Sequence, residues 1–414
     1  MTPWIAWIWL LAAPVASPAE APAPAFDSYE ELLHALTLAT SLPAPAQREA
    51  AVDRLWAGLV AAEQIPFRAG RRVVFLYRDT EGTAREVAWR GDMNGWDLDG
   101  THMGWRLGES SLWMLEEVLP LDARLDYKLF VNGGWRLDEA NPHQQLGGYG
   151  PNSELRMPDY RPPPEVEERA DVPKGTLGPM QRIRSEVLGG YDVDYQVYTP
   201  AGYEALSDLP VVYATDGGDY SHPGMGRMTT VLDNRIADGT LPAMLAVFID
   251  PHDPRTGDTR RQREYGDEPA SYARFLVEEL VPALDAAYRT RPRPAGRVIL
   301  GTSLGGLFAA HVVLHHSDAF GGALIQSPAF GFDGFRHDNR LMKGFRTQPR
   351  LPVRIFIDAG TLYDELERGR DFYQLLVDRD YAVRRVEVNE GHSWGHWRAW
   401  LDDGLAFLLA PEAP

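Results

Sequence analysis

Arg297-Val298-Ile299-Leu300-Gly301-Thr302-Ser303-Leu304-Gly305-Gly306-Leu307-Phe308-Ala309-Ala310-His311-Val312-Val313-Leu314 is the stretch that decides the fold. Residues 297–300 are a short aliphatic run of the length and composition of a buried strand. Residues 306–314 are apolar almost throughout, as in a buried helix. Between them, Gly301-Thr302-Ser303-Leu304-Gly305 has the form of a sharp strand-to-helix turn that lifts a serine hydroxyl above the edge of a sheet. Glycines on both sides fit such a turn, where backbone approaches neighbouring elements too closely for a side chain. Gly-x-Ser-x-Gly arises readily by chance in a glycine-rich chain, and Ser303 also suits a simple helix N-cap. The surrounding chain has to decide.

It does so through order. Val353 to Ile357 reads as a later strand running into Asp358-Ala359-Gly360-Thr361-Leu362-Tyr363-Asp364-Glu365, and Val383 to Val388 as another ending in Asn389-Glu390-Gly391-His392-Ser393-Trp394. Carboxylates and a histidine thus follow the serine in the order nucleophile, acid, base, each just past the carboxyl end of a strand, where open α/β sheets collect their chemistry. A serine hydroxyl attacks a carbonyl only when a neutral imidazole takes its proton, and a carboxylate on the far ring nitrogen fixes the tautomer. Ser303, Asp364 and His392 are the expected triad, with Glu365 and then Asp358 as alternative acids. The N–H of Leu304 is the expected first oxyanion donor. The second is expected from Gly217 or Gly218, in the loop after the strand Leu209 to Ala214.

Residues from about 181 to 410 resemble the enterochelin-esterase and esterase-D group of α/β-hydrolases. The likeness rests on Val211 to Gly217, Arg261-Gln262-Arg263-Glu264-Tyr265, Gly301 to Gly306, Phe320 to Ser327, Gly391-His392-Ser393-Trp394 and Trp397-Arg398. It implies an α/β-hydrolase domain and a serine ester hydrolase, with triad roles for Ser303, Asp364 and His392. It also implies an Arg261–Glu264 pair near the substrate. The acid loop, Gly360 to Asp364, is one residue longer than in many relatives.

Before it, Val73 to Asp79, Gly91 to Trp96, Leu125 to Val131, Gly133 to Trp135, Asp138 to Pro142 and Gly150 to Leu155 are short aromatic-rich strands and turns. Their spacing predicts a small all-β sandwich. These phrases resemble the early-set sandwich of family-48 carbohydrate-binding modules and of enterochelin-esterase amino-terminal domains. By that resemblance Trp96, Lys128, Trp135 and Asn152 stand where glycan-binding relatives hold their sugar; the alternative is a scaffold or lid role.

The expected organisation is a signal peptide over 1–19, a linker and helical segment over 20–66, the sandwich over 67–160, a proline-rich linker over 161–180 and the hydrolase over 181–410. Tyr29 to Ala39 and Ala46 to Ala62 read as amphipathic helices packing on the sandwich. Trp4 to Ala13 is apolar but too short to span a bilayer, so no stable membrane span is expected and the predicted location is periplasmic or secreted. A net charge of −18 argues against nucleic acid as a partner, although Arg260, Arg261 and Arg263 could attract an anionic substrate locally. The chain has no cysteine, which removes disulfides and a thiol nucleophile from consideration. His392 with His396, and His315 with His316, lack the further ligands a metal site needs, so no metal is expected, and no cofactor is implied. The expected activity is that of a serine carboxylesterase. Its substrate is a small-molecule ester, first a ferric catecholate siderophore; an esterified glycan (a feruloyl or acetyl ester of plant polysaccharide) comes second. Acyl transfer and non-catalytic glycan binding are the rival classes.

Overall fold

The structure is a computed structural model that describes residues 26–98, 100, 102–331, 340–364 and 366–411. The signal-peptide segment 1–19 and the alternative acid Glu365 therefore lie outside the described residues.

The carboxyl-terminal half is built on a nine-stranded sheet, counted among the described residues. Across it run Thr176–Leu177, Tyr191–Thr199, Leu245–Ile249, Val211–Ala214, Arg297–Thr302, Gly322–Gln326, Arg354–Gly360 and Ala382–Val388, with Gln181–Ser185 paired to Tyr191–Thr199. Tyr191–Thr199 is antiparallel to Leu245–Ile249, and every pairing from Leu245–Ile249 to the far edge is parallel. Parallel strands with helices on both faces must be apolar on both faces, and Arg297–Thr302 is buried at all six positions. One face is covered by Leu307, Phe308, Ala310 and Val313 of helix Leu304–His315. The other is covered by Leu401, Leu405 and Leu408 of helix Leu401–Leu409. Chain order reverses about Val211–Ala214 and Arg297–Thr302, a switch point of the kind at which open α/β sheets place their sites. Ser303 and Gly217 follow those two strands.

The amino-terminal half is a sandwich. One sheet orders Phe67–Ala69, Arg72–Arg78, Leu112–Val118 and Trp105–Arg106; the other orders Val87–Gly91, Arg124–Val131, Gly150–Arg156 and Gln144–Gly147, with Gly134–Arg136 beside Arg124–Val131. Alternation sorts the side chains of Arg72–Arg78. Val73 and Phe75 enter the sandwich core with Trp89, Leu115 and Tyr127, while Val74 and Leu76 face outward. That outer face is not left to solvent: Leu32, Leu36, Val52 and Leu59 of helices Tyr29–Thr40 and Pro45–Ala61 cover it.

The proline-rich stretch is more structured than a semi-rigid linker. Glu165 and Val166 are buried, Asn234 donates to the carbonyls of Glu165 and Glu167 at 2.8 Å each, and Thr176–Leu177 joins the main sheet. Its polar backbone finds partners on the hydrolase surface, which a free linker does not offer.

Candidate active site

Ser303 sits at φ 58°, ψ −118°, a conformation unfavourable for a residue with a Cβ. Three backbone bonds hold it there: its N–H donates to Gln326 O at 2.9 Å, and its carbonyl accepts from Leu307 N at 3.1 Å and Ala329 N at 3.0 Å. The flanking glycines are required by contact. A Cβ on Gly301 would stand 2.3 Å from the carbonyl carbon of Gly305, and one on Gly305 would stand 2.5 Å from Thr215 Oγ1. Leu304 opens the following helix, so its N–H has no acceptor one turn back.

Gly217 and Gly218 open the short helix Gly217–Ser221. The N–H of Asp216 already donates to the Tyr265 hydroxyl at 3.2 Å, which leaves the two glycine amides as candidate donors. They differ in surroundings: a Cβ on Gly217 would meet the Phe248 carbonyl carbon at 2.2 Å, whereas around Gly218 the space is open.

His392 Nδ1 lies 2.9 Å from Asp364 Oδ1. The other carboxylate oxygen accepts from Ser327 Oγ at 2.6 Å and from Gly360 N at 2.7 Å. Burial would push this carboxyl up, but His392, His396 and Ser327 hold it well below the usual carboxylate range. The His392 ring meets the edge of Trp397 at 4.9 Å and 88°, and Trp397 Nε1 donates to Ser327 Oγ at 2.9 Å. Within the acid loop Tyr363 takes a left-handed backbone, φ 49°, and its ring is exposed.

Asp358, the third-ranked acid, is engaged elsewhere. It pairs with His396 Nε2 at 3.2 Å and accepts from Gln326 Nε2 at 2.8 Å. The other nitrogen of His396 lies 3.2 Å from the Gly391 carbonyl. Burial opposes a charge on His396, yet Asp358, Glu390 and Asp364 push it up to about 9. The carbonyl at one ring nitrogen and the carboxylate beside the other both favour a protonated ring, which is a poor metal ligand. Among the described residues no group of three or more His, Asp or Glu side chains is placed to hold a metal ion.

Arg261 and Glu264, expected near the substrate, do not bond to each other. Arg261 Nε instead donates to both Asp216 oxygens, at 2.9 and 3.0 Å, and Nη2 donates to Thr302 O at 3.0 Å. It thereby ties the Gly217 loop to the turn that carries Ser303. Glu264 is 2 % exposed and accepts from the Tyr191 hydroxyl at 2.9 Å, with burial pushing its carboxyl up to about 8. It is turned into the core beneath Tyr191, because the segment Gln262–Asp267 is a π-turn that sends Arg261 and Glu264 to different sides. Arg260 and Arg263 both lie over the Tyr191 ring, 4.0 and 5.9 Å from its centroid.

On the sandwich, Trp96 and Trp135 meet with ring centroids 6.1 Å apart at 43°, and Trp135 is 46 % exposed. The Trp96 indole N–H donates to Asp92 Oδ1 at 3.0 Å and the Asn152 amide donates to Asp126 Oδ2 at 3.1 Å. Two of the four expected sugar-site residues thus direct their donors inward; Lys128 is half-buried beside them. Sequence reasoning assigned no role to Ser327 or Arg124. Ser327 carried a signal only as the last residue of the matching Phe320 to Ser327 stretch.

A family model described as "Putative esterase" matches residues 185–408. The chain is 27 % identical over 435 aligned positions to the iron(III) enterobactin esterase of Dickeya dadantii, covering 91 % of this chain and 97 % of that protein. It is 23 % identical over 307 positions to an endo-1,4-beta-xylanase/feruloyl esterase of Xylanibacter ruminicola, covering 72 % of this chain but 40 % of that protein. Among solved structures, the enterobactin esterase of Shigella flexneri crystallised in the presence of enterobactin superposes with a TM-score of 0.67 at 22 % identity, covering 81 % of this chain and 92 % of that one. The chain belongs to this esterase family of carboxylic ester hydrolases, and in it the α/β-hydrolase fold follows an amino-terminal all-β region.

Proposed function

We propose that the protein hydrolyses the ester bonds of a catecholate siderophore through a Ser303–His392–Asp364 triad. The contact that carries this reading is His392 Nδ1 to Asp364 Oδ1 at 2.9 Å; Ser327, whose hydroxyl bonds that same Asp364, lies two residues before Ala329, whose N–H bonds the strained Ser303. His392 takes the Ser303 proton as Oγ attacks the ester carbonyl; Asp364 holds the ring and stabilises the imidazolium. The N–H of Leu304, with that of Gly217 or Gly218, receives the developing oxyanion. The imidazolium then protonates the departing alcohol, and water, deprotonated by His392, releases the acid. Enterobactin esterases among the relatives support the substrate class. The apolar segment Trp4 to Ala13 supports export to the periplasm or beyond, and no helix among the described residues is long and apolar enough to cross a membrane. We also read the chain as two folding units meeting near residues 161–180.

A feruloyl ester on plant polysaccharide is the second reading, favoured by the Xylanibacter relative and by the paired Trp96 and Trp135 rings. Turnover of a ferric tri-catecholate lactone and of a feruloylated oligosaccharide, followed by chromatography, separates the two. Faster cleavage of the lactone, abolished by Ser303→Ala, is expected. Cleavage of neither, or equal turnover by Ser303→Ala, overturns the proposal.

A further inference from the structure

Arg124 belongs to a sandwich strand, yet its guanidinium is buried at the root of the His392 segment. Nε donates to Glu154 Oε1 at 2.6 Å and Nη2 to Asp126 Oδ1 at 2.5 Å, both within the sandwich. Nη1 crosses over: it donates to Ser393 Oγ at 2.6 Å and stands 3.9 Å from Glu390 Oε2. The backbone N–H of Arg124 also donates to Asn389 O at 3.0 Å. One sandwich residue thus grips the segment before and after His392.

The segment is shaped to this grip. A Cβ on Gly395 would fall 2.0 Å from Arg124 Cζ, and one on Gly391 would fall 2.0 Å from Cγ of the sandwich residue Asp92. Asp92 in turn accepts from Asp126 N at 2.8 Å, so both close approaches lead into one polar cluster. A buried guanidinium is tolerable only when its donors are met. Here the forked geometry assigns one nitrogen to each of Glu154, Asp126 and Ser393, an arrangement the single ammonium of lysine cannot reproduce.

We propose that Arg124 is a positioning residue for ester hydrolysis: through Ser393 and Glu390 it fixes residues 389–393 and so aims His392 at Ser303. The sandwich then serves the chemical step, whatever it also does for substrate. This rests on the triad reading above. Displacing a reacting group by about 1 Å can cost roughly 100-fold in rate, so loosening one of the grips is expected to cost about tenfold.

The test uses the full chain and a chromogenic p-nitrophenyl ester. Ser393→Ala removes the crossing hydrogen bond and leaves the Glu154 and Asp126 contacts in place. A kcat about tenfold lower with KM nearly unchanged and a lower Tm is expected, with kcat and Tm largely restored in Ser393→Thr. Arg124→Lys, which keeps the charge and loses the fork, is expected to lower kcat likewise and serves if Ser393→Ala does not fold. Wild-type kcat in either folded variant, or a loss that threonine does not restore, overturns the proposal. Labelling of wild-type Ser303 by a serine-directed phosphonate is the control. If it fails, the triad reading falls; if it succeeds while Ser393→Ala reacts at the wild-type rate, only the role of Arg124 falls.

Discussion

Ser327 Oγ donates to Asp364 Oδ2 at 2.6 Å from a backbone held at φ 40°. The residue follows the strand Gly322–Gln326, next in the sheet to the one that ends at Ser303, and its N–H donates to Asp358 O at 2.9 Å. A non-glycine residue in this region is strained, and here the strain coincides with a hydrogen bond to the carboxylate that faces His392. Ser327→Gly relieves the strain and deletes the donor; Ser327→Ala deletes the donor and keeps the strain. Both are expected to lower kcat, by about tenfold or more for one lost bond to a charged acceptor. The glycine variant is expected to melt higher than the alanine variant. Equal kcat in wild type and both variants would show that Asp364 does not need Ser327.

The Ser303 turn carries the same trade between strain and function. Ser303→Ala and Ser303→Gly are both expected to lose at least about 10⁴-fold in kcat. Ser303→Gly is expected to be more stable than Ser303→Ala by about 1 kcal/mol, because φ 58° with ψ −118° costs a residue with a Cβ on that order. Urea unfolding of the two variants measures the difference, and an unchanged midpoint between them contradicts it.

Arg261 offers a test of how the Gly217 loop is held. Lysine at this position can reach Asp216 or Thr302 O but does not present the fork that satisfies both. Arg261→Lys is expected to fold and to lose kcat by about tenfold, whereas Arg261→Ala leaves Asp216 buried without its cation and is expected to be destabilised by about 3 kcal/mol. Kinetics and thermal melts of the pair check this. The neighbouring glycines are expected to diverge as well: Gly217→Ala fails to fold normally, and Gly218→Ala keeps wild-type stability.

The buried His396–Asp358 pair predicts how stability varies with pH. Asp358, Glu390 and Asp364 are the charged groups that raise the His396 pKa, and Gln326 holds Asp358 in place. Because His396 is raised to about 9 in the fold, it keeps its proton where an unfolded histidine, near about 6.5, has lost it. Its contribution is therefore complete below the unfolded value and is lost as pH rises through about 9. Tm is expected to fall between neutral pH and the region above that value, and to fall less steeply in His396→Gln. Parallel pH profiles for the two proteins would refute the assignment.

The sequence was enough for everything that depends on local pattern and chain order. Arg297–Thr302 is a continuous apolar run because both its faces are covered, and Gly301 and Gly305 are glycine because backbone and Thr215 occupy the space a Cβ needs. The order of Ser303, Asp364 and His392 follows from parallel strands that deliver their ends to one edge, so the candidate triad could be named before any contact was known. Tertiary structure alone decided what depends on direction within a few ångströms. Arg261 and Glu264, three apart in sequence, look like neighbours on one helical face, and a π-turn sends one to Asp216 and the other beneath Tyr191. Asp358, the third choice of acid by sequence, lies within the strand Arg354–Gly360 and faces His396. Arg124 is separated by 269 positions from Ser393, and no periodicity or motif spans such a distance. A buried polar contact between the sandwich and the carboxyl-terminal half is set by how their surfaces meet, and that meeting exists only in three dimensions.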